Sequence, residues 1–226
     1  MLLPAAAATL IALMAGAVAE IWNPPAFRRW PVVTLAVGLL ILGVVALQSL
    51  IPGLPARLGR DPQMLSSGEA WRAVTALFAQ DGGVPGLLFN LFWLLVLGTL
   101  AERRFPRWGW LAAYFGGGIV TEFLALGWQP HGAGNSIACL ALAGALCSDW
   151  RKGRWRWWRV GAGLAGLAAA GVLLLENDIH GIGFCTGLLI GFALVARGAV
   201  LPGRDIPPEI APADNVVFIR GTGTYH

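Results

Sequence analysis

Residues 134–147 read Gly-Asn-Ser-Ile-Ala-Cys-Leu-Ala-Leu-Ala-Gly-Ala-Leu-Cys, and residues 180–191 read His-Gly-Ile-Gly-Phe-Cys-Thr-Gly-Leu-Leu-Ile-Gly. Each stretch opens on a reactive polar side chain, Ser136 or His180, and continues as an apolar run. A polar residue inside a membrane segment is costly and marks a functional-site candidate. A serine and a histidine at the same depth can act as a nucleophile and its base.

The surrounding composition fits a membrane chain. Hydrophobic residues make up 57% and charged residues 12% of the 226, whereas soluble domains carry about 25% charged residues. The apolar residues gather in blocks near the ~20 residues that cross ~30 Å of hydrocarbon as a helix. The expected fold is all-α, a polytopic helical bundle. Its apolar segments run Leu2–Ile21, Pro31–Ile51, Gly83–Ala101, Gly109–Trp128, Ser136–Cys147, Val160–Leu175 and His180–Ala199. The chain opens Met-Leu-Leu-Pro without a basic stretch, so the first segment reads as a retained helix rather than a cleaved signal. The fifth segment is short, which a helix tolerates when neighbours rather than lipid surround it.

Basic residues fall after the odd-numbered segments: Arg28 and Arg29; Arg103, Arg104 and Arg107; the run Arg151 to Arg159; Arg197 and Arg204. By the positive-inside rule that side is cytoplasmic, with the amino terminus outside and the tail inside. The net charge of +4 is therefore a topology signal and an attraction for anionic membrane lipids, and does not point to nucleic acid. Many Trp residues flank the segments, as in an interfacial aromatic belt. Cys139, Cys147 and Cys185 lack metal-ligand spacing and read as small apolar filler. No metal or organic cofactor is expected. Three regions follow: 1–30, an extra transmembrane helix and basic linker; 31–201, the membrane core; 202–226, a disordered cytoplasmic tail rich in Pro, Gly and polar residues.

This topology places Ser136 and His180 near the outer ends of two parallel helices. Gly183, Gly187 and Gly191 recur every fourth residue, a small-residue stripe that lets helices approach closely in lipid.

These features resemble the rhomboid intramembrane serine proteases over roughly residues 68–200. Gly134-Asn135-Ser136 matches the family's Gly-x-Ser, and His180-x-x-Gly183-x-x-x-Gly187 matches its His-x-x-Gly-x-x-x-Gly. Trp71-Arg72 is similar to the Trp-Arg of the outer loop, Phe89-Asn90 to the Phe-Asn of the next helix, and Glu102-Arg103 to the Glu-Arg that follows it. The resemblance implies a six-helix core with one added amino-terminal helix. It also implies a Ser136–His180 dyad, an oxyanion hole from the Ser136 N–H and the Asn90 side chain, and cleavage of transmembrane protein substrates near the outer membrane face. Two positions depart from the pattern: Ile137 stands where the family has Gly, and Gly86 where it tends to have His. They keep open an alternative, a catalytically inactive rhomboid-like protein that binds transmembrane helices.

Other polar residues carry expectations of their own. Asp178 reads as a solvated loop charge, with orientation of the His180 ring as the alternative. Glu122, inside an apolar segment, either borders a water-filled cavity or snorkels to the interface. Glu102 is expected to tie a cytoplasmic loop through Arg103 or Arg104. Trp71 and Arg72 are expected to anchor the outer loop at the headgroup level. His131 and Asn135 flank Ser136 and could supply substitute oxyanion donors. The composition suggests a bacterial plasma membrane.

Overall fold

The computed structural model describes residues 30–148, 150 and 156–201. The expected span Leu2–Ile21, Arg28 and Arg29, the tail from residue 202, and Arg151, Lys152 and Arg154 lie outside the described residues. The described chain is helical, with one isolated antiparallel bridge between Arg60 and Gly132.

Among the described residues, four helices are long and apolar enough to cross a membrane: α1 (Val32–Leu50), α5 (Gly83–Arg104), α6 (Arg107–Gly127) and α8 (Arg156–Leu175). Two shorter apolar helices, α7 (Ser136–Leu146) and α9 (His180–Ala196), pack with them. Three short helices lie in the connection between α1 and α5: α2 (Leu54–Leu58), α3 (Pro62–Ser66) and α4 (Arg72–Thr75). The chain is thus a multi-pass membrane bundle. Leu39, Leu40, Leu88, Phe92 and Leu189 project outward, where lipid rather than water receives them.

The short helix α7 is the axis of the bundle. Every residue from Ile137 to Leu146 is buried, so its backbone and side chains meet protein on all sides and its 11 residues need not match the bilayer thickness. Its closest neighbour is α9. A Cβ built at Gly183 would stand 2.7 Å from the Ile137 carbonyl oxygen, and one at Gly187 would overlap the Ala141 carbonyl. Gly144 faces the other way, and a Cβ there would overlap the Phe184 carbonyl. Only the absence of side chains lets the two backbones come this near.

The helix ends explain the rest of the placement. Pro31, which precedes α1, has no side chain able to cap it. Glu102 does so instead: its carboxylate accepts from the Val33 and Thr34 N–H groups at 3.1 and 2.8 Å and from Thr34 Oγ1 at 2.7 Å. Anionic groups are stabilising at a helix N-terminus. This contact joins α1 to the end of α5, so Glu102 serves as a helix cap, a role the sequence reading did not give it. Between α8 and α9 the chain turns on Asn177, whose φ of 57° is left-handed, a conformation that Asn tolerates better than most residues. The following Asp178 N–H returns to the Leu173 carbonyl at 2.8 Å. A turn this tight starts α9 immediately, with His180 as its first residue.

Candidate active site

Ser136 opens α7 and His180 opens α9. The glycine-mediated contact of these helices brings both openings to one end of the bundle. His180 Nε2 lies 2.8 Å from Ser136 Oγ, a hydrogen bond between residues 44 positions apart. The opposite ring nitrogen, Nδ1, lies 2.5 Å from Asp178 Oδ1, and the His180 backbone N–H donates to the same oxygen at 2.9 Å. A carboxylate held on Nδ1 favours the tautomer with its proton there and leaves Nε2 free to accept from the serine hydroxyl.

Asp178 is therefore not the solvated loop charge expected from sequence. Its side chain is only 16% exposed. Burial pushes its carboxyl up, but the hydrogen bonds from His180 and the charge of that ring outweigh burial and hold it below the usual carboxylate value.

Asn90 projects from α5 into a small cavity shared with Ser136 and His180, closed by Phe89, Trp93, Cys139 and Leu140. A second cavity of about 170 Å³ meets Ser136 and His180 from another direction and is polar, lined among others by Arg60, Asp81, Glu122 and Gln129. One wall is apolar and helical, the other charged and built from loops. The segment ahead of Ser136 is held from outside. The Gly134 N–H donates to the Ala76 carbonyl at 2.9 Å, and the Ala133 N–H to Asp81 Oδ2 at 2.9 Å.

The family model described as the Rhomboid domain matches residues 67–197, more than half of the 226 residues. The chain belongs to the rhomboid family. That family includes intramembrane serine proteases. No curated protein matches the chain.

The structure of this rhomboid revises several sequence readings. Glu122 does not snorkel. It is 1% exposed and ion-paired with Arg60, Nη1 to Oε2 at 2.5 Å, on the wall of the polar cavity. Arg60 also donates to the Gln129 carbonyl at 2.9 Å and to the His131 carbonyl at 3.4 Å, and its backbone N–H pairs with Gly132. One buried guanidinium thus clamps the 129–132 loop to α6 and to the long connection. Arg72 is not a headgroup anchor either. It is 8% exposed, bonded to Glu69 at 2.6 Å and to the carbonyls of Ala56 and Gly59 at 3.0 and 3.1 Å. It fastens the α2 end of the connection to α4. Trp71, beneath the Arg72 guanidinium, does remain exposed.

Asn135 is fully buried and turned away from both cavities, toward Gln80 and Cys139. His131 is largely exposed, 3.8 Å from Asp61, at the rim of the polar cavity. Ile137 is buried without displacing the start of α7. Gly86 has open space where a Cβ would stand. Gly134, Gly183 and Gly187 supply backbone fit rather than polar groups. Glu102 and Arg103 lie 12 and 13 positions beyond Asn90 on α5, about 18–20 Å along the helix at 1.5 Å per residue, and border a different cavity with Trp30 and Arg107. They stand apart from the dyad end.

The residue that sequence reasoning missed altogether is Gln80. It ends the apolar run Ala76-Leu77-Phe78-Ala79 and is itself buried. A carboxamide closing a buried run is the signal that was available. Its Oε1 accepts from Asn90 Nδ2 at 2.7 Å, and its Nε2 donates to Asn135 Oδ1 at 2.9 Å.

Proposed function

We propose that this protein is an intramembrane serine endopeptidase that cleaves transmembrane protein substrates. The observation that carries the reading is the 2.8 Å approach of His180 Nε2 to Ser136 Oγ, with Asp178 on the other ring nitrogen. Ser136 Oγ attacks the scissile carbonyl while His180 Nε2 takes its proton. The negative oxygen that forms is stabilised by the Ser136 N–H and by Asn90, at the start of α7 where the helix dipole favours negative charge. His180 then returns the proton to the leaving amine. Water, reaching Ser136 through the polar cavity, loses a proton to His180 as it attacks the acyl-enzyme; the bond to Ser136 Oγ then breaks, His180 returns that proton to Oγ, and the new carboxylate leaves. Asp178 orients the ring and stabilises its charged form in both halves.

The apolar cavity opens among helices and the polar cavity among loops, which suits a peptide that comes from lipid and is hydrolysed by water. Arg103, Arg104 and Arg107 lie at the opposite ends of α5 and α6. By the positive-inside rule that end is cytoplasmic, and the dyad faces outward in what is proposed to be a bacterial plasma membrane. The basic end meets anionic lipids. No cofactor enters the scheme, and nucleic acid has no part in it.

The test is proteolysis of a single-span reporter protein co-reconstituted in liposomes. Cleavage by the wild type and none by Ser136→Ala or His180→Ala is expected. Cleavage that survives Ser136→Ala contradicts the proposal. An intact reporter with wild-type protein that still binds it favours the inactive helix-binding reading, which Ile137 and Gly86 motivate.

A further inference from the structure

We propose that Gln80 is a positioning residue for Asn90, and that Gln48 on α1 holds Gln80 in place. The inference rests on the protease reading above, in which Asn90 is an oxyanion donor.

A carboxamide offers an acceptor and a donor end on one flat group, so an unconstrained Asn can turn its oxygen toward a developing oxyanion as readily as its nitrogen. The oxygen would repel that charge. Asn90 is constrained: one of its Nδ2 hydrogens goes to Gln80 Oε1 at 2.7 Å. This holds the nitrogen on the side toward Gln80 and leaves the second Nδ2 hydrogen for the cavity that Asn90 shares with Ser136 and His180. Gln80 is itself oriented, because its Nε2 donates to Asn135 Oδ1 at 2.9 Å. Asn135 is the residue immediately before the nucleophile, and it spends its own Nδ2 on Cys139 Sγ at 3.3 Å. The three side chains thus form one directional relay between α5 and the start of α7.

The backbone of Gln80 is fixed by a second carboxamide. Gln48 Nε2 donates to the Gln80 carbonyl at 2.9 Å, and Gln48 Oε1 accepts the Gln80 N–H at 3.1 Å. This pair satisfies both main-chain polar groups of a buried residue, where an unpaired group would be costly. Gln48 lies on α1, outside the matched domain at residues 67–197. A helix that touches neither Ser136 nor His180 therefore reaches the oxyanion donor through Gln80, and tilting α1 would disturb turnover. The relay also answers the departure at position 86: orientation comes from Gln80, in the loop before α5, rather than from a side chain one turn ahead of Asn90.

The decisive experiment is a double-mutant cycle on full-length protein in liposomes, with reporter cleavage resolved into kcat and KM. Gln80→Met keeps the volume and removes both hydrogen bonds. It is expected to lower kcat about 10-fold or more, as part of the ~10²–10³ that one oxyanion donor is worth, with KM little changed. In an Asn90→Ala background the same substitution is expected to have no further effect. Gln48→Met, at a partly exposed site on α1, is expected to lower kcat in the same direction by a smaller factor, and again only when Asn90 is present, with the folded fraction of each variant measured alongside. Equal losses in both backgrounds, or a change confined to KM, would overturn the positioning role. Loss of cleavage on Ser136→Ala with no dependence on Gln80 defeats the positioning role alone. Absence of cleavage by wild type defeats both.

Discussion

Asp178 Oδ1 and His180 Nδ1 stand 2.5 Å apart on the side of the imidazole away from Ser136. Two consequences follow from this one contact. Asp178→Asn keeps the shape but offers the ring an amide in place of a carboxylate, which leaves the tautomer unfixed. Turnover is expected to fall by about 10²–10⁴, the range of general acid–base assistance, with KM little altered. Reporter cleavage across a substrate titration measures it.

The same carboxyl sits below its ordinary value because the His180 interactions outweigh its burial. A depressed carboxylate stabilises the fold fully above its unfolded value, ~3.9, and that contribution is lost as pH falls through the depressed value. The wild type is therefore expected to be more stable than Asp178→Asn near pH 6, with the gap closing as the medium is acidified through pH ~4 and below. Thermal unfolding in detergent at a series of pH values reports the gap.

Arg60 and Glu122, both nearly inaccessible, hold a 62-residue separation closed. Removing one partner strands the other charge. Glu122→Leu alone is expected to destabilise by about 3–5 kcal/mol, whereas pairing it with Arg60→Met recovers much of the loss. Detergent unfolding of the two single variants and the double variant measures the recovery.

Gly187 lies against the Ala141 carbonyl, and Gly171 on α8 has nothing within 4 Å of where its Cβ would be. Gly187→Ala is expected to cost at least the ~1–3 kcal/mol of an overpacked core and to separate Ser136 from His180. Gly171→Ala is expected to be neutral or slightly stabilising. Unfolding midpoints and cleavage rates of the two variants should diverge accordingly.

Glu102 caps α1 far from the dyad. Glu102→Ala is expected to lose about 0.5–2 kcal/mol, the usual worth of a helix cap, while reporter cleavage by the folded fraction stays near wild type. A large loss of kcat in properly folded Glu102→Ala that persists in a Gln48→Met background would show that α1 is coupled to the site through more than Gln48.

The spans were legible in the sequence because crossing hydrocarbon demands long uniform segments, and α1, α5, α6 and α8 each meet that demand in one unbroken run. The meeting of α7 and α9 was legible for a related reason: Gly183, Gly187 and Gly191 leave a groove that only close backbone packing fills. The nearness of Ser136 to His180 follows from both. Interactions that a turn or a long loop brings together were harder to read. The reach of Asp178 to His180 stood only as the alternative to a solvated loop charge, because it depends on the left-handed turn at Asn177, which the local composition does not announce. Gln80 finds Asn90 and Asn135 across 10 and 55 positions, and Arg60 finds Glu122 across 62. Arg72 looked like an interfacial cation, but the carbonyls it serves belong to a loop whose folded path has no periodicity to read.

The central claim is that Ser136 is a nucleophile activated by His180. A fluorophosphonate probe applied to the folded protein, with the labelled residue mapped by mass spectrometry, tests it most directly. Adduct on Ser136 in the wild type, and its loss in a folded His180→Ala protein, is the result predicted. Adduct on Ser136 that forms equally well without the imidazole would contradict it.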